Sequence, residues 1–180
     1  MNPIKLIAAA MSLALGVAMA QTAPYAGQQE RDIKSLSDQE VRDLLEGQGM
    51  GLAKAAELNG YPGPAHVIEH AKALSLSGQQ LEASSELMRK HKSRAKEIGA
   101  RLVAAERGLD QAFASRSIDE KQLAQLTAEV ARLQGELREE HLRTHLAQTE
   151  LLDAGQVQRY AVLRGYAAGA GEPTHRRKHH

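Results

Sequence analysis

Residues 77–151 read SGQQLEASSELMRKHKSRAKEIGARLVAAERGLDQAFASRSIDEKQLAQLTAEVARLQGELREEHLRTHLAQTEL, and their apolar spacing decides the fold. Leu81, Met88, Ala95, Leu102 and Leu109 recur every seven residues, with Ile98, Ala105 and Ala112 beside them. After Ser115-Arg116-Ser117, the residues Leu123, Leu126, Val130, Leu133 and Leu137 alternate steps of four and three. Each half therefore carries one narrow apolar stripe, as long helices packed lengthwise do. The expected fold is all-α: a long antiparallel helical hairpin, with arms at about 77–115 and 117–151 and short flanking helices. At about 1.5 Å per residue each arm is roughly 50–60 Å long, so the hairpin forms an extended body.

The helix starts repeat one local design. Leu76-Ser77-Gly78-Gln79-Gln80-Leu81 places a hydroxyl at the N-cap and Gln80 three residues on, with Leu76 and Leu81 as a hydrophobic staple. Leu152-Asp153-Ala154-Gly155-Gln156-Val157 and Leu36-Ser37-Asp38-Gln39-Glu40-Val41 repeat it. Ser117-Ile118-Asp119-Glu120 is a capping box without the staple. Helices are also expected over 37–48, briefly over 52–58, over 64–75, and from Asp153 to Arg164. Asn59-Gly60-Tyr61-Pro62-Gly63-Pro64 forces a reversal between two of them, because proline fixes φ and glycine admits positive φ.

Residues 1–20 combine Lys5, an apolar run from Leu6 to Val17, and Ala18-Met19-Ala20, the pattern of a cleavable secretory signal. The expected product is exported, periplasmic in a Gram-negative source, and not stably inserted in a membrane. Residues 21–36 read as a flexible leader, 37–166 as the helical domain, and 167–180 as a disordered basic tail ending in His175-Arg176-Arg177-Lys178-His179-His180. There is no cysteine, which removes disulfides, thiol chemistry and thiolate ligands. The chain has 23 Lys+Arg against 22 Asp+Glu, so no global field favours nucleic acid. Aromatics make up 3% of the residues, which suits Leu/Ala seams better than a compact core.

The paired L-[ST/D]-x-x-Q boxes at Leu76, Ser77, Gln80 and at Leu152, Asp153, Gln156 flank a long helical hairpin behind a signal peptide. This pattern resembles the LTxxQ group of periplasmic proteins, the Spy/CpxP stress chaperones and their ZraP- and CnrX-type heavy-metal relatives. The segments Gly49-Met50-Gly51 and Asn59 to Val67 are similar to a branch of that group, and the resemblance spans roughly 37–166. It implies a hooked, cradle-shaped antiparallel homodimer. It also implies an ATP-independent chaperone for unfolded envelope proteins, not an enzyme, with no required cofactor and with a membrane sensor as a further partner. An extended hairpin with a thin core gives an independent reason to dimerise. The other arrangement is a monomer whose short helices fold back over the stripe.

Two sites are candidates. Arg89, Lys90, Lys92, Arg94, Lys96 and Arg101 crowd the first arm, facing Glu129, Glu136, Glu139 and Glu140 on the second. Either this is a solvated surface with weak ion pairs, or Met88, Arg89, Lys92, Lys96, Ile98 and Leu102 form a basic and apolar surface that holds clients. The histidines fall in i, i+4 pairs, His66 with His70 and His141 with His145. The metal-sensing relatives use an HxxxH, a glutamate and an HxxxM. By that resemblance His66, His70, Glu82 or Glu86, His141 and His145 are the ligand set, for Zn, Ni, Co or Cu(II). The plainer reading makes His141 and His91 hydrogen-bonded seam residues. His66-Val67-Ile68-Glu69-His70 also fits an H-x-x-E-H protease pattern, which has none of the necessary framework here.

Overall fold

The computed structural model describes residues 23–167; the signal-like segment 1–20 and the tail histidines 175, 179 and 180 lie outside the described residues. Residues 23–30 belong to a separate small unit containing a 3₁₀ turn, Gln28–Glu30. From Arg31 onward the described chain is helical and has no strand. Its elements are α1 (Asp38–Leu45), α2 (Lys54–Glu57), α3 (Pro64–Glu69), α4 (Gly78–Ala114), α5 (Glu120–Glu150) and α6 (Ala154–Leu163). The two long helices, of 37 and 31 residues, pack against each other as a hairpin. No helix of the described residues is long and apolar enough to cross a membrane.

Capping chemistry sets the boundaries. Ser37, Ser77 and Asp153 each accept from the N3 amide, while Glu40, Gln80 and Gln156 reach back to the cap amide. Four orphan-donor problems are solved this way, but the fourth box differs from the expected one. The N-cap of α5 is Asp119, paired with Gln122, and Ser117 instead meets the Ser115 hydroxyl at 2.7 Å. Arg116 turns the chain at φ 53°, and the Asp119 carboxylate holds the Gln122 amide at 2.7 Å.

The helix stops are equally regular. At Gly47, Gly60, Ser75 and Gly165, all with positive φ, the next amide bonds back five residues and their own amide bonds back three. Gln48 N reaches Asp43 O at 2.8 Å and Leu76 N reaches Ala71 O at 3.0 Å in this way. This is the Schellman stop. The helix expected over 64–75 is α-helical only to Glu69, and the remaining turns end at Ser75 in the left-handed region.

The two capping glutamines then bind each other. Gln80 Nε2 donates to Gln156 Oε1 at 2.8 Å and to Leu151 O at 2.9 Å, and Gln156 Nε2 donates to Gln80 Oε1 at 3.0 Å. Two boxes 76 residues apart are thereby tied into one knot at the base of the hairpin. Leu76 and Leu152 pack there on Val67, Leu74 and Tyr160, whereas Leu81, the expected staple partner, is exposed.

The main core holds Ala95, Ile98, Leu102 and Val103 of α4 and Val130, Leu133 and Leu137 of α5, closed by Leu44 of α1 and Ile33. Residues 31–36 are accordingly not a free leader. Ile33 is buried, Lys34 pairs with Asp110 at 3.2 Å, Ser35 donates to Glu106 at 2.9 Å, and Arg107 reaches Asp32 at 2.8 Å. An isoleucine flanked by charges is invisible to periodicity, yet its burial removes apolar surface at the open side of a thin seam.

Between the two apolar clusters the heptad positions turn polar: Ser84 and His91 on α4 face His141, Thr144 and Gln148 on α5. This buried polar layer borders the candidate site.

Candidate functional site

A cavity of about 410 Å³ opens where the Gly47–Gly51 loop, α2, the start of α3 and the polar layer of the hairpin meet. Each wall has a local cause. The Gly-rich loop follows a helix stop at Gly47, whose Cβ position lies 3.1 Å from the Ala95 Cβ, so only glycine lets the loop approach α4 this closely. Pro62, Gly63 and Pro64 carry the chain over α5, with the Gly63 Cβ position 2.8 Å from the His145 ring. The long helices present His91, His141 and His145 on faces separated by one or two turns.

The histidines are oriented by their second nitrogens. His91 Nδ1 lies 3.1 Å from Glu140 Oε1 and 3.0 Å from Thr144 Oγ1. The Thr144 hydroxyl is itself donated to Glu140 O at 2.9 Å, so His91 supplies the proton on Nδ1 and keeps a lone pair on Nε2. His145 Nδ1 donates to the Tyr61 carbonyl at 2.8 Å, which leaves its Nε2 in the same state. His141 packs edge-on to His91 with ring centroids 4.6 Å apart. It is 4% exposed, and its Nε2 is buried without a hydrogen-bond partner. Burial, above all, pushes its pKa down to about 4. The imidazole therefore stays neutral well below the ordinary histidine range.

The one carboxylate on the cavity wall, Glu57, is already engaged. Its Oε1 accepts from the Tyr160 hydroxyl at 2.7 Å and from Arg164 Nε at 3.1 Å. Tyr160 also takes the Gly63 amide at 3.3 Å, and burial, then the Glu57 bond, holds its phenol well above its usual pKa. Lys92 on the opposite wall donates to Gly47 O and Gln48 Oε1, both at 3.4 Å.

The expected metal set is only partly brought together. His66, His141 and His145 line the cavity; His70 and Glu86 do not. His70 is the C-cap of α3, where the helix ends too early to turn it inward. Glu86 lies on another face of α4, bound to Arg89 at 2.6 Å and Lys90 at 3.4 Å, and the Arg89 hydrogen bond lowers its pKa. Glu82 shares that outer face. His66 is half-buried and paired with Glu69 at 3.0 Å. His91, Met88, Met50 and Glu57 join instead. For His91 the sequence held one signal: Ser84, His91 and Ile98 are seven apart, on the seam that faces α5.

The expected client surface does not form on the residues named for it. Ile98 and Leu102 are 1% and 5% exposed and belong to the chain's own core. Met88 and Lys92 turn to the cavity, while Arg89, paired with Glu86, and Lys96 remain on open surface. The cross-arm arginine pairs among the described residues are Arg94–Glu136 at 2.8 Å and Arg101–Glu136 at 3.5 Å, both partly exposed and worth little.

Among the described residues no three His, Asp or Glu side chains stand together at metal-binding separation. Comparison of the chain with protein-family models, curated proteins and solved structures gives no match. The fold and site define a helical-hairpin protein with a histidine- and methionine-walled cavity.

Proposed function

We propose that this protein is an exported, non-enzymatic transition-metal-binding protein of the bacterial envelope, and that the histidine cavity is its site. One observation carries the reading: His91, His141 and His145 wall one cavity, and the His141 Nε2 there is buried without a partner. His91 and His145 give Nδ1–H to fixed protein acceptors, the arrangement that orients metal-ligating histidines, and His141 is held neutral with Nε2 orphaned. An orphaned buried nitrogen costs about 1–3 kcal/mol, which a bound ion recovers. His66 stands at the same wall as a fourth donor. Bound metal supplies a Lewis-acid centre; the protein's share is to hold and shield it. The reading predicts saturable binding at one site in metal titrations of the purified mature protein. A His91→Ala/His141→Ala double variant should lose at least about tenfold in affinity. Affinity should also fall as the solution is acidified toward about pH 4, where a proton competes for the His141 lone pair. Undiminished binding by the double variant sinks the proposal.

A second reading, chaperone-like capture of unfolded envelope proteins by a homodimer, is favoured by a different surface. Leu142 and the half-exposed Leu146 lie on α5 in a groove bounded by Arg138 and Arg143, where cations flank apolar surface. Leu146→Ser/Leu142→Ser should then weaken suppression of aggregation of a denatured client at equimolar protein. If wild-type protein leaves the aggregation trace unchanged, this reading fails.

A further inference from the structure

We propose that the cavity selects a soft monovalent cation, Cu(I), over the divalent ions of the same N/O chemistry. This rests on the metal-binding reading above and goes on to name the ion.

Four observations point the same way. First, the cavity wall carries two thioethers, Met88 from α4 and Met50 from the Gly-Met-Gly loop. Thioether sulfur favours Cu(I), while imidazole alone accepts Zn, Ni and Cu alike. Second, Met50 sits at φ 45°, in the left-handed region that Gly51 beside it occupies without strain, and its side chain is 43% exposed. Glycine would be the conformationally cheaper residue there, so the strain buys a methionine at the rim.

Third, the wall brings little negative charge to a divalent ion. The single lining carboxylate, Glu57, gives Oε1 to Tyr160 and Arg164 and has Oε2 3.7 Å from His145 Nδ1, and there is no thiolate. Lys54, Lys92 and Arg164 line the same space, so a bound ion feels cationic neighbours. That repulsion scales with the ion's charge, and a monovalent ion suffers half of what a divalent one does. Fourth, the missing third His/Asp/Glu neighbour among the described residues matters to Zn(II), which takes four donors in a tetrahedron. It matters less to Cu(I), which is content with two or three ligands, and the adjacent His91 and His141 rings share their cavity wall with two thioethers. Met88 and Met50 are the sulfur donors, His91 and His141 the nitrogen donors, and His145 a reserve nitrogen.

The test is an anaerobic titration of the mature protein with Cu(I), kept reduced by ascorbate and competed against bicinchoninate. Ag(I) serves as a redox-inert stand-in, and Zn(II) and Ni(II) are run in parallel. Cu(I) and Ag(I) should bind one per chain and about 100-fold more tightly than Zn(II). Met50→Leu/Met88→Leu, close in volume and so expected to fold, should weaken Cu(I) by at least about tenfold and leave Zn(II) unchanged. Both methionine methyl resonances should shift on Ag(I) addition in the wild-type protein. If Zn(II) binds as tightly as Cu(I), or if the double leucine variant keeps full Cu(I) affinity, the selectivity is overturned while the metal site stands. If no ion binds, the metal-binding reading falls with it.

Discussion

Gly99→Ala is expected to destabilise the protein by about 3 kcal/mol, although alanine is the better helix former by about 1 kcal/mol. Gly99 sits mid-way along α4, where α1 crosses it. A Cβ at this position overlaps the Leu44 carbonyl oxygen and comes within 2.8 Å of the Leu44 carbonyl carbon and 3.4 Å of its Cα. The obstacle is backbone, so no side-chain rotation relieves it. The end of α1 has to lift, and Leu44, which is 5% exposed, leaves its place on Ala95 and Ile98 in the core. Loss of a buried leucine's packing is of the order of 2–5 kcal/mol. For a chain of this size the melting temperature should fall by roughly 6–12 °C. Gly135→Ala is the control. It lies within α5 with nothing inside 4 Å of its Cβ position, so the same change there should stabilise by about 0.5–1 kcal/mol. If both alanine variants gain stability in urea unfolding, α1 is not seated on Gly99.

Tyr160→Phe should cost about 2–3 kcal/mol and loosen the floor of the cavity. Tyr160 is 1% exposed, and its hydroxyl joins three segments distant in sequence. It donates to Glu57 of α2, accepts from the Gly63 amide before α3, and is itself carried by α6. Phenylalanine fills the same apolar space against Val67 and Leu74 but leaves the Glu57 carboxylate and the Gly63 amide short of a partner. Half-satisfied buried polar groups are the costly case. A pH signature separates this bond from simple packing. The phenol's pKa is raised in the folded state, so its contribution is complete below the unfolded value of about 10 and is lost as pH rises beyond it. Wild-type stability should therefore decline above about pH 10 more steeply than that of Tyr160→Phe. Parallel curves, or a cost under about 0.5 kcal/mol, would show that the hydroxyl is not bonded as described.

The parts of the fold that were legible are those in which a residue's role is decided by neighbours three, four or seven positions away. The stripe through Ala95, Ile98 and Leu102 and its counterpart through Val130, Leu133 and Leu137 gave both arms, and each ends within a few residues of its expected limits. Ser77 with Gln80 and Asp153 with Gln156 marked helix starts because a cap and its N3 partner are nearly adjacent. The same reasoning failed at Ser117. The chain turns at the left-handed Arg116, and Asp119, two residues past the expected cap, took the role. It failed again at 31–36, where a lone Ile33 carries no period to read.

The site was legible only as a pool of histidines. Placing His66, His141 and His145 near one another needed the chain order of the helices, which the resemblance to the LTxxQ proteins supplied. Excluding His70 and Glu86, and admitting His91, Met88 and Met50, needed the crossing register of α4 on α5 and the path of the Gly47–Gly51 loop. A shift of one residue along either helix turns a side chain by about 100°, so the composition of a shared cavity is settled by packing.

By itself the sequence determined an all-helical hairpin with capped ends, since helix period and capping are enforced by atoms within one turn of each other. The tertiary structure alone decided that Gln80 binds Gln156, that Ile33 closes the core, and that four imidazoles and two thioethers wall one cavity. Those pairings join residues tens of positions apart, and only the burial of the two seams against each other fixes where such residues meet.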